Sequence, residues 1–461
     1  MDPQYLFTDA QMRRFIANGL LTLKVDAPEL HETIYRKTEE VYAKEGNPGN
    51  NILPRVPDVQ KVFEHPVVRG GLTSLLGPDY LMHAHRHCHV NPPGSKGQSW
   101  HKDSYWGYKK LRYHRPRWVM IFYYPQEVTD LNGPSAVIPG THYYMNKPAD
   151  EEALARCVYG QAGTVTFMHF DLWHRASPNA SDRNRYMMKF QFTRMDEPTT
   201  PTWNARETAW RTPDGVSGDG QDAVWSQVWD WTCGRRSNGH APHAGQSPSP
   251  ALLDALGAEE ESVRLNAAYT LGALGASAVP DLIQALAGGD EPARLSAAYA
   301  LGVAGHPAVG PLARTLSHAD EQVRAHAVYA LGDIGRPAGD AVPALADALG
   351  DPSTLVRHHA AEALGTVARN PATAVPALCR ALRDEDGQVR FNASYALARF
   401  GPAASAAVPA LREALYDDNR YARGHAAAAL RRIGTPDAVE TLLDFLSATR
   451  WCPITSKEST F

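Results

Sequence analysis

The chain has 461 residues, of which 43% are hydrophobic and 21% charged, and its formal net charge at pH 7 is −4. This length exceeds that of one ordinary domain, so two or three domains are expected. The composition is typical of a water-soluble globular protein, and the slightly negative charge argues against a general nucleic-acid-binding protein.

The sequence predicts neither a membrane span nor an export signal. It has no apolar run of about 18 residues, so no membrane span is predicted. The first residues, MDPQYLFTDAQMRRF, lack the basic-then-apolar plan of a signal peptide. Five cysteines (Cys88, Cys157, Cys233, Cys379 and Cys452) form no CxxC pair and are expected to be reduced thiols. These features predict a cytoplasmic protein.

The first half of the chain begins with helical patterns and continues with strand patterns. The stretch TDAQMRRFIANGLLTL starts with the cap-type residues Thr8 and Asp9 and predicts a helix that stops at Asn18-Gly19. A second helical stretch, APELHETIYRKTEEVYAKEG, follows. Runs rich in β-branched and aromatic residues then predict strands at 81–90, 118–125, 163–174 and 185–194. Short antiparallel strands after N-terminal helices predict a double-stranded β-helix (jelly roll) with flanking helices.

Composition changes near residue 235. Ten of the eleven lysines and nine of the ten tryptophans precede it, and Ala and Leu dominate after it. The stretch RRSNGHAPHAGQSPSP lies between the halves and has the composition of a linker. The predicted domains are therefore an N-terminal domain at 1–234, a flexible linker at 235–250, and a C-terminal domain with its tail at 251–461.

The C-terminal half is a repeat array. Six segments align, from VRLNAAYTLG (263–272) to ARGHAAAALR (422–431), at spacings of 30 or 33 residues. Second helices such as AVPALADAL lie between them. Self-similarity at this period predicts stacked helix pairs in an all-α solenoid. The pattern resembles short HEAT repeats over roughly 251–447. A recurring column of Tyr with Asn, Ser or His is either a partner-binding stripe on the concave side or a structural polar ladder.

Three His-x-Asp pairs raise the question of a metal site: His101/Asp103, His169/Asp171 and His318/Asp320. A non-haem Fe(II) oxygenase needs two His and one carboxylate on one face of the metal. In a jelly roll a His-x-Asp at a strand end supplies two of these ligands, because side chains at i and i+2 point the same way. A distant strand supplies the second His, and an Arg a few residues beyond it can hold a cosubstrate carboxylate.

The pair His101/Asp103 meets these requirements. His174 ends the predicted strand at 163–174, and Arg185 opens the next strand. His169/Asp171 lies on the strand of His174 itself. His318/Asp320 lies in a repeat loop, where Asp320 is expected to cap a helix or to pair with Arg324 of its own unit. The predicted iron ligands are His101, Asp103 and His174.

The same residues carry a resemblance to a known family. WHKD (100–103), LNGPSAVIPGTHYY (131–144) and HRASPNASDRNR (174–185) are similar to motifs of the phytanoyl-CoA dioxygenase (PhyH) family of Fe(II)/2-oxoglutarate-dependent oxygenases. The similarity covers roughly residues 5–200. It departs from the family at Thr141, where Ser is usual, and at Ala176, where a Ser can contact the cosubstrate, so that contact is not transferred.

The resemblance implies cofactors and their binding residues. Fe(II), 2-oxoglutarate and O2 are the expected cofactors, with ascorbate as a candidate reductant. Arg185 is expected to pair with the far carboxylate of 2-oxoglutarate. Asp103 favours hydroxylation over halogenation, because halogenating relatives have a small residue there, whereas desaturation and ring closure use the same ligands. The remaining candidates for contacts with the cosubstrate are Ser181, Asn179, Trp118 and His89.

Residues next to the ligand pair are tentative substrate contacts: Tyr105, Trp106, Lys102 and Arg117. Aromatic side chains beside a metal site often line a substrate pocket, but core packing explains them as well. The leading prediction is an oxygenase that hydroxylates an aliphatic carbon of a small-molecule, natural-product or carrier-bound substrate, with HEAT repeats that dock the substrate or a protein partner. The alternative is a HEAT-repeat scaffold with an inactive barrel. The identity of the substrate does not follow from the sequence.

Overall fold

The structure is a computed structural model that describes residues 1–103, 111, 113–216, 221–235 and 246–448. Within it, residues 1–103 and 113–216 form one compact unit, and residues 221–235 and 246–448 form a second. The helix at Asp222–Thr232 therefore lies in the second unit, ahead of the division expected after residue 234. The domain bounds 1–234, 235–250 and 251–461 stay a prediction.

The first unit begins with the predicted helix. Thr8 and Gln11 form a reciprocal capping box at its start, and Gly19 ends it with a φ of +77°. The six helices of this unit are α1 (Asp9–Asn18), α2 (Pro28–Glu45), α3 (Ile52–Arg55), α4 (Asp58–Glu64), α5 (Pro66–Leu76) and α6 (Glu151–Leu154).

Eight strands of the described residues form two antiparallel sheets. They are β1 (Leu20–Lys24), β2 (Tyr80–Asn91), β3 (Trp118–Tyr124), β4 (Ser135–Val137), β5 (Arg156–Val158), β6 (Thr164–His169), β7 (His174–Ala176) and β8 (Arg185–Arg194). The larger sheet has the order β1-β6-β3-β8-β2, and the smaller has the order β5-β4-β7. The predicted sheet-rich class with flanking helices is confirmed, although the described strands do not close into a continuous barrel.

One predicted strand is two strands. The run at 163–174 divides into β6 in the larger sheet and β7 in the smaller, with a turn between them in which the Leu172 N–H donates to the His169 carbonyl over 3.1 Å. His174 therefore begins β7 and does not end the strand that contains His169. The turn was not predicted, because the apolar residues of 163–174 continue through it.

Strand β8 is buried along its whole length, which places polar side chains inside the fold. On one face, Phe190 stacks on Phe63 of α4 with ring centroids 4.2 Å apart. The alternating face, which begins at Arg185 and includes Lys189, points away from the helices, because successive side chains of a strand point to opposite sides. This second face borders the candidate site.

The second unit is entirely helical, as predicted. Helices α7 (Asp222–Thr232) and α8 (Pro250–Asp254) open it, and α7 packs against α9. Six helix pairs follow: α9 (Glu261–Ala273) with α10 (Val279–Gly288), α11 (Glu291–Ala304) with α12 (Val309–Thr315), α13 (Glu321–Ile334) with α14 (Val342–Asp347), α15 (Thr354–Val367) with α16 (Pro371–Ala381), α17 (Gly387–Phe400) with α18 (Val408–Ala414), and α19 (Arg420–Ile433) with α20 (Pro436–Ala448).

The repeated glycine of the aligned segments allows neighbouring repeats to pack closely. A Cβ atom at Gly332 would lie 3.0 Å from Cβ of Ala363, and one at Gly365 would lie 2.8 Å from Cα of Ala396. The first helices of successive pairs therefore approach through small residues.

Salt bridges connect the repeats in a regular ladder. In each, an Arg at the start of a first helix pairs with an Asp of the next repeat: Arg294–Asp320 (2.7 Å), Arg324–Asp351 (2.8 Å), Arg357–Asp384 (2.8 Å) and Arg390–Asp417 (2.7 Å). Asp320 also caps α13 by accepting a hydrogen bond from the Gln322 N–H. The expected cap is confirmed, whereas the ion pair of Asp320 is with Arg294 of the preceding unit and not with Arg324.

The column of tyrosines in the repeats is buried. Tyr269, Tyr299, Tyr329 and Tyr395 are each at most 5% exposed, and Tyr299 packs edge-to-face against Tyr329 at 5.7 Å. Of the two expectations for this column, burial supports the structural ladder and contradicts the exposed partner-binding stripe. None of the helices in the described residues combines the length and apolar composition that crossing a membrane requires.

Candidate metal centre

The backbone brings His101 and His174 together. Each residue's N–H donates to the carbonyl oxygen of the other over 3.0 Å, which forms an antiparallel bridge between the segment after β2 and the first residue of β7. The paired backbones place the two imidazole rings with their centroids 4.5 Å apart. Residues that are 73 positions apart in the chain thereby share one site.

Both histidines present the same ring nitrogen to the site. Nδ1 of His101 lies 2.9 Å from the Ser99 carbonyl oxygen, and Nδ1 of His174 lies 2.9 Å from the Leu172 carbonyl oxygen. A proton on Nδ1 satisfies each contact and leaves the Nε2 lone pair available. This arrangement is typical of metal-binding histidines, whose second nitrogen is held by a backbone carbonyl.

Asp103 completes a set of three possible ligands. Its Oδ1 atom lies 3.8 Å from Nε2 of His174, and one ligand atom from each of the three residues lies within 4.8 Å of the others. In the described residues this is the one group of three or more His, Cys, Asp or Glu side chains with that geometry. Two imidazoles and a carboxylate are the donor set of a non-haem Fe(II) site, so the residues present fit such an ion.

The protonation of the site suits metal binding. Burial lowers the pKa of His174 to about 4, although the Asp103 charge opposes this shift, so the imidazole is neutral near pH 7. Burial alone would raise the pKa of Asp103, but the positive charge and hydrogen bonds of Lys189 outweigh burial, so the pKa lies below its usual range. His174 and Asp103 thus carry one negative charge between them.

A cavity of about 190 Å³ adjoins the two histidines. His101 and His174 line it, and Arg185 of β8 lines it as well. Arg185 is 1% exposed, and its Nε donates to the Gly133 carbonyl over 2.8 Å, while Nη2 has no hydrogen-bond partner among the described residues. A buried guanidinium nitrogen without a partner beside a cavity fits a ligand carboxylate. Burial lowers the pKa of Arg185 from its usual value.

The other expected cosubstrate contacts occupy different places. His89 lines the cavity, and its buried Nε2 has no partner among the described residues. Asn179 and Ser181 form a turn before β8, in which the Asn179 Oδ1 accepts hydrogen bonds from the N–H and the hydroxyl of Ser181. Trp118 packs against Phe170 at 6.0 Å and is not among the residues that line the cavity.

The tentative substrate residues are not assembled at the cavity. Lys102 does not line the cavity, and its Nζ donates to the carbonyls of Thr141 and Tyr144. Arg117 forms a buried ion pair with Glu197 at 2.9 Å. Tyr105 and Trp106 lie outside the described residues.

Lys189 is a site residue that the sequence predictions missed. Its Nζ lies 2.8 Å from Oδ1 and 2.9 Å from Oδ2 of Asp103, and the cavity also contacts it. The signal was present in RYMMKFQFTR, where Arg185, Lys189 and Gln191 occupy alternate positions of an otherwise apolar strand. That periodicity places them on one face.

Histidine side chains of β2 form a cluster. The register shifts between Met82 and Arg86, and the rings of His87 and His89 lie 4.4 Å apart. His87 pairs across the sheet with Lys189, so this cluster borders the candidate site.

The remaining His-x-Asp pairs lie elsewhere. Nδ1 of His169 accepts a hydrogen bond from the Asp171 N–H at 3.2 Å, and its ring packs on His142 at 4.8 Å. His318 and Asp320 lie in a loop between α12 and α13 of the solenoid.

Comparison with known protein families finds separate matches in the two compact units. The family described as phytanoyl-CoA dioxygenase (PhyH) matches residues 24–187. HEAT repeats match four overlapping segments at 279–365, 309–396, 342–418 and 375–451, and a PBS lyase HEAT-like repeat matches 263–288. No curated protein matches the chain.

Similar solved structures cover about half of the chain at low identity. The nickel complex of the non-heme monooxygenase ThoJ is 18% identical, with 48% of this chain and 94% of that chain covered and a TM-score of 0.33. The alpha-ketoglutarate-dependent carbocyclase SnoK from nogalamycin biosynthesis is 17% identical, with coverages of 45% and 88% and a TM-score of 0.35. EctD from S. alaskensis with 2-oxoglutarate and 5-hydroxyectoine is 18% identical, with coverages of 46% and 85% and a TM-score of 0.36.

The family matches and the two units of the fold lead to one description. The chain joins a domain of the phytanoyl-CoA dioxygenase (PhyH) family to C-terminal HEAT repeats.

Proposed function

We propose that the N-terminal domain is an Fe(II)/2-oxoglutarate-dependent oxygenase in which His101, Asp103 and His174 hold the metal. The observation that carries the proposal is the convergence of two Nε2 atoms and one carboxylate, with both Nδ1 atoms held by backbone carbonyls. When bound, the iron supplies the oxidising chemistry that couples conversion of 2-oxoglutarate and O2 to succinate and CO2 with oxidation of a substrate.

The protein's own residues bind and orient the cosubstrate. Arg185 is buried and faces the cavity with a guanidinium nitrogen available, so it is the proposed partner of the far carboxylate of 2-oxoglutarate. Phe122 packs edge-to-face on His174 at 5.6 Å and lines the same cavity, which keeps an apolar wall beside the ligand. His89 is a second polar group that can contact the cosubstrate. Ascorbate is a candidate reductant.

The proposed reaction is hydroxylation of an aliphatic carbon. A carboxylate stands at position 103, so the ligand set lacks the small residue that makes room for chloride in halogenating enzymes. The substrate is a small molecule, a natural product or a carrier-bound compound. Desaturation and ring closure use the same ligands and would be distinguished by the mass of the product.

We propose that the HEAT repeats dock a protein partner or a carrier that bears the substrate. Solenoids bind partners through extended surfaces. The buried tyrosine column is not that surface, so docking uses residues other than Tyr299, Tyr329 and their equivalents.

Succinate release tests the proposed function. Purified full-length protein is incubated with Fe(II), 2-oxoglutarate and ascorbate, with and without O2, and succinate is measured by mass spectrometry. Wild-type protein is expected to form succinate only with O2, and His174→Ala is expected to form none. His318→Ala is the matched control, because it removes a His-x-Asp histidine from the solenoid and should leave succinate formation unchanged.

The same experiment distinguishes the scaffold alternative. If the wild type forms no succinate under O2 and binds no 2-oxoglutarate in the presence of Fe(II), the oxygenase proposal fails and a scaffold with an inactive barrel is favoured. Succinate formation by His174→Ala at the wild-type rate would place the reaction elsewhere.

A further inference from the structure

The positively charged side chain of Lys189 contacts the carboxylate of Asp103, the proposed metal ligand. Its ammonium contacts both carboxylate oxygens, at 2.8 and 2.9 Å, and the amide of Gln191 lies 3.4 Å from Oδ2. Lys189 is 5% exposed and Asp103 is 8% exposed, so the pair is shielded from water. A buried lysine is costly unless it is paired, and Asp103 provides the pairing.

The partner that neutralises Lys189 is the carboxylate that a metal would use. A carboxylate has two oxygens and about four lone-pair sites, so Asp103 can bind a metal through one oxygen and keep Lys189 on the other. The present contact uses both oxygens. Lys189 and Gln191 take three of these sites and leave a lone pair of Oδ1. A metal bound at that lone pair lies close to a positive charge.

The same charge has the opposite effect on the cosubstrate. Lys189 and Arg185 lie on one face of β8 and both line the 190 Å³ cavity. Opposite charges attract more strongly inside a protein than in water. A dicarboxylate in this cavity meets Arg185 and Lys189 together with the metal.

We infer that Lys189 is a positioning residue that holds Asp103 in the metal-free site, weakens binding of the metal alone and strengthens binding of the dianionic cosubstrate to the metal-loaded site. This inference rests on the proposed function, since it assigns Asp103 to the metal. Lys189 thereby couples the two binding events: the metal is held loosely until the cosubstrate arrives.

Calorimetry with Ni(II), which supports no turnover, tests the inference. Lys189→Met is expected to bind Ni(II) about tenfold more tightly than the wild type, because the competing cation is gone, and to bind 2-oxoglutarate about tenfold more weakly once Ni(II) is present. Lys189→Arg keeps the charge and should restore both affinities towards wild-type values. Lys147→Met is the matched control, because Lys147 pairs with Glu151 and is 41% exposed.

The circular dichroism spectrum of each variant shows whether it folds. If Lys189→Met does not fold, Lys189→Gln makes the same charge change and keeps a hydrogen-bond donor.

The outcomes are distinct. Absence of Ni(II) binding by the wild type would defeat the proposed function itself. Wild-type binding with no tighter binding by the neutral Lys189 variant, or with unchanged 2-oxoglutarate affinity, would overturn the role of Lys189 and leave the proposed function standing.

Discussion

His101 and His174 hold each other in place through two backbone hydrogen bonds of 3.0 Å, and their side chains converge on one point. The position of both proposed ligands thus depends on how closely the segment 97–103 lies against β7. Residues that contact neither the metal nor the cosubstrate can therefore affect the affinity for the metal.

Gly97 tests this dependence. Its φ is +79°, and a Cβ there would lie 2.4 Å from the Ala176 carbonyl oxygen, which accepts a hydrogen bond from the Gln98 N–H. Gly97→Ala should push the segment away from β7 and weaken Ni(II) binding about 10- to 100-fold, the usual effect of disturbing residues that support metal ligands. Isothermal titration of the full-length protein measures the change.

Gly94→Ala is the matched control for Gly97→Ala. Gly94 has a φ of +75°, but no atom lies within 4 Å of its Cβ position. The alanine there carries the same backbone strain of about 1–2 kcal/mol and should leave Ni(II) binding unchanged. Equal losses of affinity in both variants would mean that the close approach at Gly97 is unimportant.

Arg185 is predicted to contribute to binding of the cosubstrate and not to binding of the metal. Arg185→Met should reduce the affinity of the Ni(II)-loaded protein for 2-oxoglutarate about 10- to 100-fold, since charge-assisted hydrogen bonds contribute about 1.5–3 kcal/mol. Its Ni(II) affinity should match that of the wild type. Arg183→Met, at a side chain that is 81% exposed, is the control. If the Arg185→Met variant binds 2-oxoglutarate as tightly as the wild type, Arg185 does not bind the cosubstrate carboxylate.

The Arg–Asp ladder is predicted to stabilise the solenoid. Arg324 pairs with Asp351 through two contacts of 2.8 Å, and both side chains are largely buried. Arg324→Lys should lower the free energy of unfolding by about 1–2 kcal/mol, because an ammonium cannot reproduce the two-pronged contact.

Urea unfolding followed by circular dichroism measures the ladder's contribution. The control is Arg383→Lys in the exposed pair with Glu413, where both side chains are 63% exposed. Exposed pairs contribute little, so this variant should unfold like the wild type. If Arg324→Lys and Arg383→Lys have the same free energy of unfolding, the buried ladder pair stabilises the solenoid no more than an exposed pair does.

Buried histidines predict a loss of solenoid stability in mild acid. Burial lowers the pKa of His326 to about 4 and that of His425 to about 3, below the value of about 6.5 expected in the unfolded chain. Between these values the unfolded state binds more protons, so stability is full above about pH 6.5 and falls as the pH decreases towards the folded-state pKa. From about pH 7 to about pH 5 each histidine should cost about 1–2 kcal/mol.

His425→Phe isolates one of these contributions. The imidazole packs against Phe391 and Tyr395 at 4.9 and 5.0 Å, so a phenyl ring suits its surroundings. The variant should lose less stability than the wild type between about pH 7 and about pH 5. An unchanged pH dependence in urea unfolding would show that His425 does not titrate on unfolding.

Local sequence patterns predicted much of the fold. The repeats were predictable because each helix pair has the same apolar spacing, and α1 was predictable from Thr8, Gln11 and Gly19. The proximity of His101, Asp103 and His174 followed from the need of a metal for three ligands on one side. Each of these inferences uses a rule that acts over a few residues or on a known coordination geometry.

Other features depend on contacts between distant parts of the chain. The Lys189–Asp103 pair joins positions that are 86 residues apart, and the bulge in β2 arises where its pairing with β8 slips. The repeat tyrosines have the spacing of a surface stripe, but close packing of neighbouring helices buries them. Such outcomes are decided by tertiary packing, which the sequence pattern alone does not determine.

The central claim is that His101, Asp103 and His174 form one metal site, and anaerobic Fe(II) titration of the full-length protein tests it most directly. The account predicts one Fe(II) per chain at saturation in the wild type and in His318→Ala, and loss of this binding in His101→Ala, Asp103→Ala and His174→Ala with an unchanged circular dichroism spectrum. Wild-type stoichiometry and affinity in any of these three variants would contradict it.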